Sequence, residues 1–334
     1  MVFCVRKSFL VISCGFIVCF YYWYISQSKI FCNSQCDLTA NNKVENVSDE
    51  VAKLSPEDKN RLIDLTNFEY VINQKSCREL NIQPLVLIMV HSAPGNEQKR
   101  NLIRKTWGRK DPRAHLLFLL GSVISITDQA KLKEENRKHR DLVQGSFLDT
   151  YRNMTYKHAM VLKWFIYSCP EALFLLKTDD DVFVNTPTLY DSLEKGLSPI
   201  SVSPKRLVAC YQVIGANILR DNSKWRVSPE EYHGDYYPPY CMGYVVLFSA
   251  DAVLHLYREV QDTPYFWIDD VHITGTLTKK TGILITGLNS MVLTKSQVQN
   301  ILQGRMPPSY YLFFFTRPEI SQQEIPQLWK KVTS

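Results

Sequence analysis

An α/β fold with a mostly parallel central sheet flanked by helices is what this sequence predicts, on three observations. Short, continuous apolar runs recur, as expected of strands buried on both faces. Segments of helical character separate them, and that alternation points to parallel strands joined by helical crossovers. The chain has 334 residues, 45% of them hydrophobic. That is enough for one large domain or two modest ones.

The folded part is expected from Pro84 to Ser334. Leu85–Val90 is the first buried strand, and Gly95 marks the loop after it. Glu97–Trp107 reads as a helix with Leu102 and Ile103 inward and with Arg100 and Arg104 on one face. Leu116–Leu120 is a second strand, Asp128–Arg140 a charged helix, and Tyr156–Tyr167 a helix ending at Cys169-Pro170. Ala172–Leu176 is a third buried strand, and Leu207–Val213 and Tyr244–Phe248 are further strands. No internal repeat is visible.

The amino-terminal part reads differently. Arg6 and Lys7 close a short tail, residues 1–8, ahead of an uncharged apolar stretch, residues 9–26. That length approaches the ~20 residues that span a bilayer as a helix. Tyr21, Tyr22, Trp23 and Tyr24 lie at its far end as an aromatic belt would. Positive charge on the amino-terminal side keeps that side cytoplasmic and places the rest of the chain in the lumen. A cleaved signal peptide is the rival, but an A-x-A-like site is missing and the apolar run is too long. Residues 27–83 are polar and Asn-rich and read as a stem, with a short helix near Pro56–Asn67.

Composition agrees with a luminal domain. Six of the nine cysteines lie beyond the span, at Cys32, Cys36, Cys77, Cys169, Cys210 and Cys241. An even set suits an oxidising compartment, and its pairing cannot be read from sequence. Cys32 and Cys36 have no second half-site at finger-like spacing that would make a zinc centre. Sequons stand at Asn46 and Asn153. The net charge of +6 is spread among acids, so no nucleic-acid footprint is evident.

Three features carry chemistry. Lys177-Thr178-Asp179-Asp180-Asp181 follows a buried strand, and in open α/β sheets ligands bind at the carboxyl ends of strands. Three adjacent carboxylates repel, and a divalent cation relieves that repulsion; oxygen ligands suit magnesium or manganese bridged to phosphates. A solvated acidic turn is the plainer alternative. Asp269 and Asp270 follow Tyr265, Phe266 and Trp267. A carboxylate there suits proton removal from an attacking hydroxyl, and equally suits a helix amino terminus. Trp225, Tyr232, Tyr236, Tyr237, Tyr240 and Tyr244 can stack on sugars or pack among themselves.

Read in order, seven motifs closely resemble the β-1,3-galactosyltransferase family (glycosyltransferase family 31). They are Arg100-xxx-Arg104-x-Thr106-Trp107-Gly108, Phe118-Leu119-Leu120-Gly121, Phe147-x-Asp149-x-Tyr151-x-Asn153-x-Thr155-x-Lys157, Lys177 to Asn185, Lys224-Trp225-x-Val227-Ser228, Tyr237-Pro238-Pro239-Tyr240-Cys241 and Asp269-Asp270-Val271. The resemblance covers about Pro84 to Trp329. It implies a GT-A type fold in the Golgi membrane and inverting transfer of a hexose from a UDP-sugar to a glycan 3-hydroxyl. Galactose is the implied sugar, with an N-acetylhexosamine as the rival, and Mn²⁺ is the implied cofactor.

The resemblance also assigns residues. Asp270 would be the general base. Asp181 would ligate the metal, with Asp179 beside it or facing the ribose. His91, Ser92, Lys177 and Asp180 would border the donor. Arg100 and Arg104 would lie near the nucleotide or brace the sheet. Trp225, Tyr232, Tyr240, Trp267 and Asp269 would line the acceptor side.

Four positions depart from the family pattern. Asp269 replaces a Glu, His91 a Lys, and Val245 a Gly whose loss would reshape the donor-sugar pocket. Pro318 stands where the family tends to carry a metal-ligating His, which leaves Glu319 or water to substitute, or a weakened or lost metal site. A transferase-like protein without turnover is therefore the alternative function. A phosphohydrolase would need further carboxylates and histidines that the sequence does not supply in order.

Overall fold

The computed structural model describes residues 47–197 and 203–334. The expected tail, membrane span, first part of the stem, Asn46, Cys32 and Cys36 lie outside the described residues. Among the described residues no helix is long and apolar enough to cross a membrane.

Among the described residues ten strands are formed: β1 (Tyr70–Ile72), β2 (Val86–His91), β3 (Ala114–Ser122), β4 (Leu142–Leu148), β5 (Phe174–Asp179), β6 (Val208–Val213), β7 (Tyr240–Ser249), β8 (Ile285–Gly287), β9 (Val292–Leu293) and β10 (Phe315–Thr316). The first eight make one sheet in the order β1-β4-β3-β2-β5-β7-β6-β8. Helices Glu97–Lys105, Ile126–His139 and Met154–Ser168 connect β2, β3, β4 and β5 in turn. Those four strands are parallel neighbours.

The sheet is mixed and still mostly parallel: β2, β3, β4, β5, β6 and β8 run one way, β1 and β7 the other. β7 runs against both β5 and β6, and β1 runs against β4. A strand buried on both faces has the same apolar reading in either direction, so the sequence signal carries no polarity.

Alternate side chains of the central strands enter two separate cores, one on each face of the sheet. Val86, Ile88 and Val90 of β2 join Trp107, Phe183 and Phe315 on one face. Leu87 and Met89 join Trp164, Phe165 and Tyr257 on the other.

The expected boundary at Pro84 is corrected. The folded unit begins at Val47. Leu62, Ile63 and Phe68 are fully buried, β1 adds an edge strand to the sheet, and Cys77 is bonded to Cys169. Asp58 fastens the segment. Its carboxylate accepts from Tyr167 at 2.6 Å, from Gln261 at 2.9 Å and from Tyr257, with the Lys163 ammonium 3.6 Å away. Pro56–Asn60 is a single 3-10 turn capped by Ser55, shorter than the helix expected there. Isolated apolar residues among polar ones docked the segment, and such isolation leaves no periodic signal.

The remaining described cysteines, Cys210 and Cys241, are also paired, joining β6 to β7. Val245 is corrected as well. It is fully buried in β7 opposite Thr178 and packs in the first core, so its side chain does not stand free in a pocket.

Candidate active site

The carboxyl ends of β2 and β5 lie side by side, with His91 paired to Asp179 in register. A cavity of about 340 Å³ opens there, lined by His91, Ser92, Lys99, Tyr151, Lys157 and Asp179 to Asp181 among others. This is where an α/β sheet places its ligands.

The three consecutive aspartates have three different environments. Asp180 is buried and committed, accepting from Ser92 at 2.7 Å, Asn96 at 2.8 Å and Lys99 at 2.8 Å. Its expected donor role gives way to holding the loop after β5 against the helix Glu97–Lys105, and Ser92 is spent in the same cradle. Asp179 accepts from Lys177 at 2.8 Å. Burial raises its pKa despite the Lys177 charge beside it. Asp181 faces outward, its side chain 42% exposed, with Lys99 at 3.8 Å. Burial and the neighbouring Asp179 push it up to about 6.

These two carboxylates carry negative charge that the protein only partly offsets. As hard oxygen donors they fit a divalent cation whose shell is completed by phosphate oxygens and water. Among the described residues no group of three or more His, Cys, Asp or Glu gathers to hold a metal by protein alone. Thr316 of β10 exchanges hydrogen bonds with Phe183, two residues after Asp181, and Pro318 follows in an exposed turn.

Lys177 ties the acids to the second half of the site. It is buried, and its ammonium also donates to the Gly243 carbonyl, so it acts as a strut and not as an open donor contact. Gly243 in turn lies under Asp270. A Cβ added at Gly243 would stand 3.2 Å from Asp270 Cβ and 3.6 Å from its Oδ2. The two acidic motifs, 90 positions apart in sequence, are thus neighbours.

Asp270 opens a π-helical segment, Asp270–Thr276. Such turns are rare and frequent at functional sites. The Thr274 hydroxyl accepts from the Cys241 amide at 2.9 Å and donates to the Asp270 carbonyl at 2.5 Å, tying the turn to β7. Gly275 allows the approach, because a Cβ there would press on Tyr240 and Pro238 at 3.1 and 3.2 Å. Burial, then the charge of Asp269, pushes Asp270 up to about 7. Burial alone would raise Asp269 too, but a hydrogen bond with His158 and the Lys177 charge outweigh it and hold Asp269 low.

Arg100 and Arg104 take the bracing role. Arg100 is fully buried and directs all its N–H groups to Glu135, Ser92, Ala93 and Pro94. Arg104 binds Asp141, Glu135 and Asn101. Their expected place at the donor is corrected: every N–H of Arg100 and four of the five of Arg104 are committed to the protein.

Trp267 is also corrected. It is 5% exposed and sits under Arg152, whose guanidinium lies 4.2 Å from its ring centre. Tyr232 and Tyr240 are half-buried around Phe266 and Tyr237 in a small third core that supports the π-helical turn. Trp225 is 45% exposed, with Lys224 over its ring.

Asn153 donates its side-chain amide to the Leu148 carbonyl at 2.9 Å. Thr155 of the same sequon is buried and donates to the Phe266 carbonyl at 2.6 Å. Both sequon side chains are therefore structural.

Asn96, Lys99 and His158 are not singled out in the sequence reading, and Asp149 and Lys157 stand there only within a motif, with no role assigned. Asn96 and Lys99 share a helix face at i, i+3, which was the available signal for the first two. Lys157 is buried, pairs with Asp149 at 2.8 Å and donates to the Ser92 carbonyl at 3.0 Å, joining the ends of β4 and β2.

An α/β sheet carrying two facing acidic motifs at its carboxyl edge defines the class of protein this is, and comparison narrows it. Residues 98–289 match the family model described as galactosyltransferase. The chain is 33% identical over 272 residues to human (Homo sapiens) beta-1,3-galactosyltransferase 9, covering 79% of this chain and 69% of that one. It is 30% identical over 282 residues to Mus musculus beta-1,3-galactosyltransferase 1, covering 82% and 81%. Among solved structures, the galactosyltransferase LgtC in complex with donor and acceptor sugar analogs aligns over 69% of this chain and 86% of its own. At 11% identity and a TM-score of 0.33, that likeness carries no argument. The chain belongs to the β-1,3-galactosyltransferase family, and so to the glycosyltransferases.

Proposed function

We propose that this chain transfers galactose from UDP-galactose to the 3-hydroxyl of a glycan acceptor on glycoprotein or glycolipid, inverting the anomeric carbon to give a β-1,3 linkage. An N-acetylhexosamine is the rival donor sugar. The observation that carries this reading is Asp270, a part-buried carboxylate raised to about 7 and set beside the Asp179–Lys177–Gly243 strut. A base with its pKa near the working pH is suited to accept a hydroxyl proton.

In this reading Asp270 takes the acceptor proton as the acceptor oxygen attacks the anomeric carbon. Lys177 keeps Asp179 in place. Asp179 and Asp181 would hold Mn²⁺, which when bound neutralises charge on the departing diphosphate. His91 and Ser92 border the uridine end, and exposed Trp225 borders the acceptor. The same reading takes the fold to be of GT-A type and places the protein in the Golgi membrane as a single-pass protein with its folded unit in the lumen.

Pro318 favours one second reading, a transferase-like protein that binds glycan without turnover. One experiment separates the two. UDP release from UDP-galactose, UDP-N-acetylglucosamine and UDP-N-acetylgalactosamine is measured with Mn²⁺ and a panel of β-glycosides, beside Asp270→Asn. Acceptor-dependent release that collapses in the variant establishes the transferase and its donor. No release from any pair, with no UDP-sugar binding by calorimetry, moves the assignment to the second reading.

A further inference from the structure

Asp270 has little of its own to aim it. Among the described residues its carboxylate is held by backbone amides and by no side chain, the adjoining Val271 at 2.8 Å and Gly243 of β7. Its direction is therefore inherited from the backbone that enters the π-helical turn, and that backbone is gripped twice by the helix Met154–Ser168. Thr155 donates to the Phe266 carbonyl at 2.6 Å, and His158 Nδ1 lies 3.0 Å from Asp269 Oδ2. Thr155 and His158 stand at i, i+3 on one helix face, and their partners are likewise three residues apart.

His158 is fully buried, and its Nε2 has no hydrogen-bond partner among the described residues. The His91 ring meets it edge-on at 5.6 Å, and Phe248 at 6.2 Å. A buried imidazole with one engaged nitrogen suits a fixed tautomer that donates through Nδ1.

We infer that His158 is a positioning residue for the reaction: by holding the Asp269 carboxylate it fixes the first turn of the π-helix and so aims Asp270 at the acceptor hydroxyl. This rests on the reading of Asp270 as the base. The grip is also electrostatic. Charged and titratable groups facing the pair are Lys177 and Asp179 from β5, His91 from β2, and Asp270 and His272 from the π-helical segment. With His158 in place, Asp269 is ionised when Asp270 titrates, and its charge opposes the loss of the Asp270 proton. Without His158, two adjacent part-buried carboxyls share one proton.

The test uses the full chain, measuring kcat, KM and the dependence of kcat on pH with UDP-galactose and its acceptor. The variants are His158→Ala, His158→Asn, Asp269→Asn and Asp270→Asn. Alanine should lower kcat about 10–100-fold, the range seen when an outer partner of a catalytic group is lost. It should leave KM for the donor within about twofold, and its acid limb should begin at lower pH and broaden. Asparagine at 158 keeps an N–H near the Nδ1 position and should recover most of the loss. Asparagine at 269 removes the charge and should move the acid limb to lower pH as a single step.

A merely structural His158 would scale the pH curve down without changing its shape, with asparagine no better than alanine; that result overturns the proposal. Should His158→Ala fail to fold, the Asp269→Asn curve decides, and an unmoved acid limb overturns the proposal. Activity retained in Asp270→Asn would instead sink the reading of Asp270 as base. Loss of activity in Asp270→Asn with both 158 variants unaffected would sink the positioning role alone.

Discussion

Alanine at position 243 should separate catalysis from stability. Gly243 is not at positive φ, so an added methyl carries no backbone penalty of its own. Alanine in a strand gains about 0.5–1 kcal/mol over glycine. The new Cβ would stand 3.2 Å from Asp270 Cβ, and ordinary carbon contacts are about 3.5–4.0 Å. Asp270 must therefore retreat by a few tenths of an ångström, at a cost comparable to the gain. The melting temperature should change little. A misplacement of 1 Å costs on the order of 10²-fold in rate, so a third of that costs roughly fivefold. The assay is kcat for acceptor-dependent UDP release, paired with thermal unfolding of the same preparation. A kcat within about 1.5-fold of wild type, at unchanged stability, would refute the idea that Gly243 sets the seat of the base.

Other outcomes follow from the same geometry. On the proposed function Asp270 acts as the base only when ionised, so kcat should fall as pH drops through about 7. Its folded pKa is raised, so the stability it confers is full below the unfolded carboxylate range and lost as pH rises through about 7. Asp270→Asn should accordingly raise the melting temperature relative to wild type more at pH 8 than at pH 4. Glu135→Gln removes the charge opposite fully buried Arg100 and should cost about 3–5 kcal/mol in denaturant unfolding. The KM for UDP-galactose of the folded fraction should hold, since Arg100 has no free donor. Asp58→Ala leaves buried Lys163 without its carboxylate and should cost about 3 kcal/mol. Limited proteolysis should then cut within residues 47–83, where wild type resists. Asn153, engaged with Leu148, should carry no glycan by peptide mass mapping, and Asn153→Gln should lower stability instead of removing a sugar.

The sequence was most legible where burial was continuous. Leu85–Val90 and Ala172–Leu176 read as inner strands, and β2 and β5 stand within about three residues of where the apolar runs put them. Both acidic motifs were visible because each breaks sharply from apolar neighbours. What stayed hidden depends on partners far away in the chain. Three adjacent aspartates read alike, yet Ser92, Asn96 and Lys99 make Asp180 a structural residue and leave Asp181 facing out. Arg100 and Arg104 share a helix face whether that face meets a nucleotide or Glu135, and only the position of Glu135 decides. The direction of β7 and the docking of residues 47–83 were equally invisible, since neither alters a local period.

That docking has a geometric consequence. Everything from Val47 onward is part of the folded unit. A protein trimmed to begin at Pro84 would lose the edge strand β1, the bond from Cys77 to Cys169 and the Asp58 cluster together. Any shortened form for solution work has to start at or before Val47.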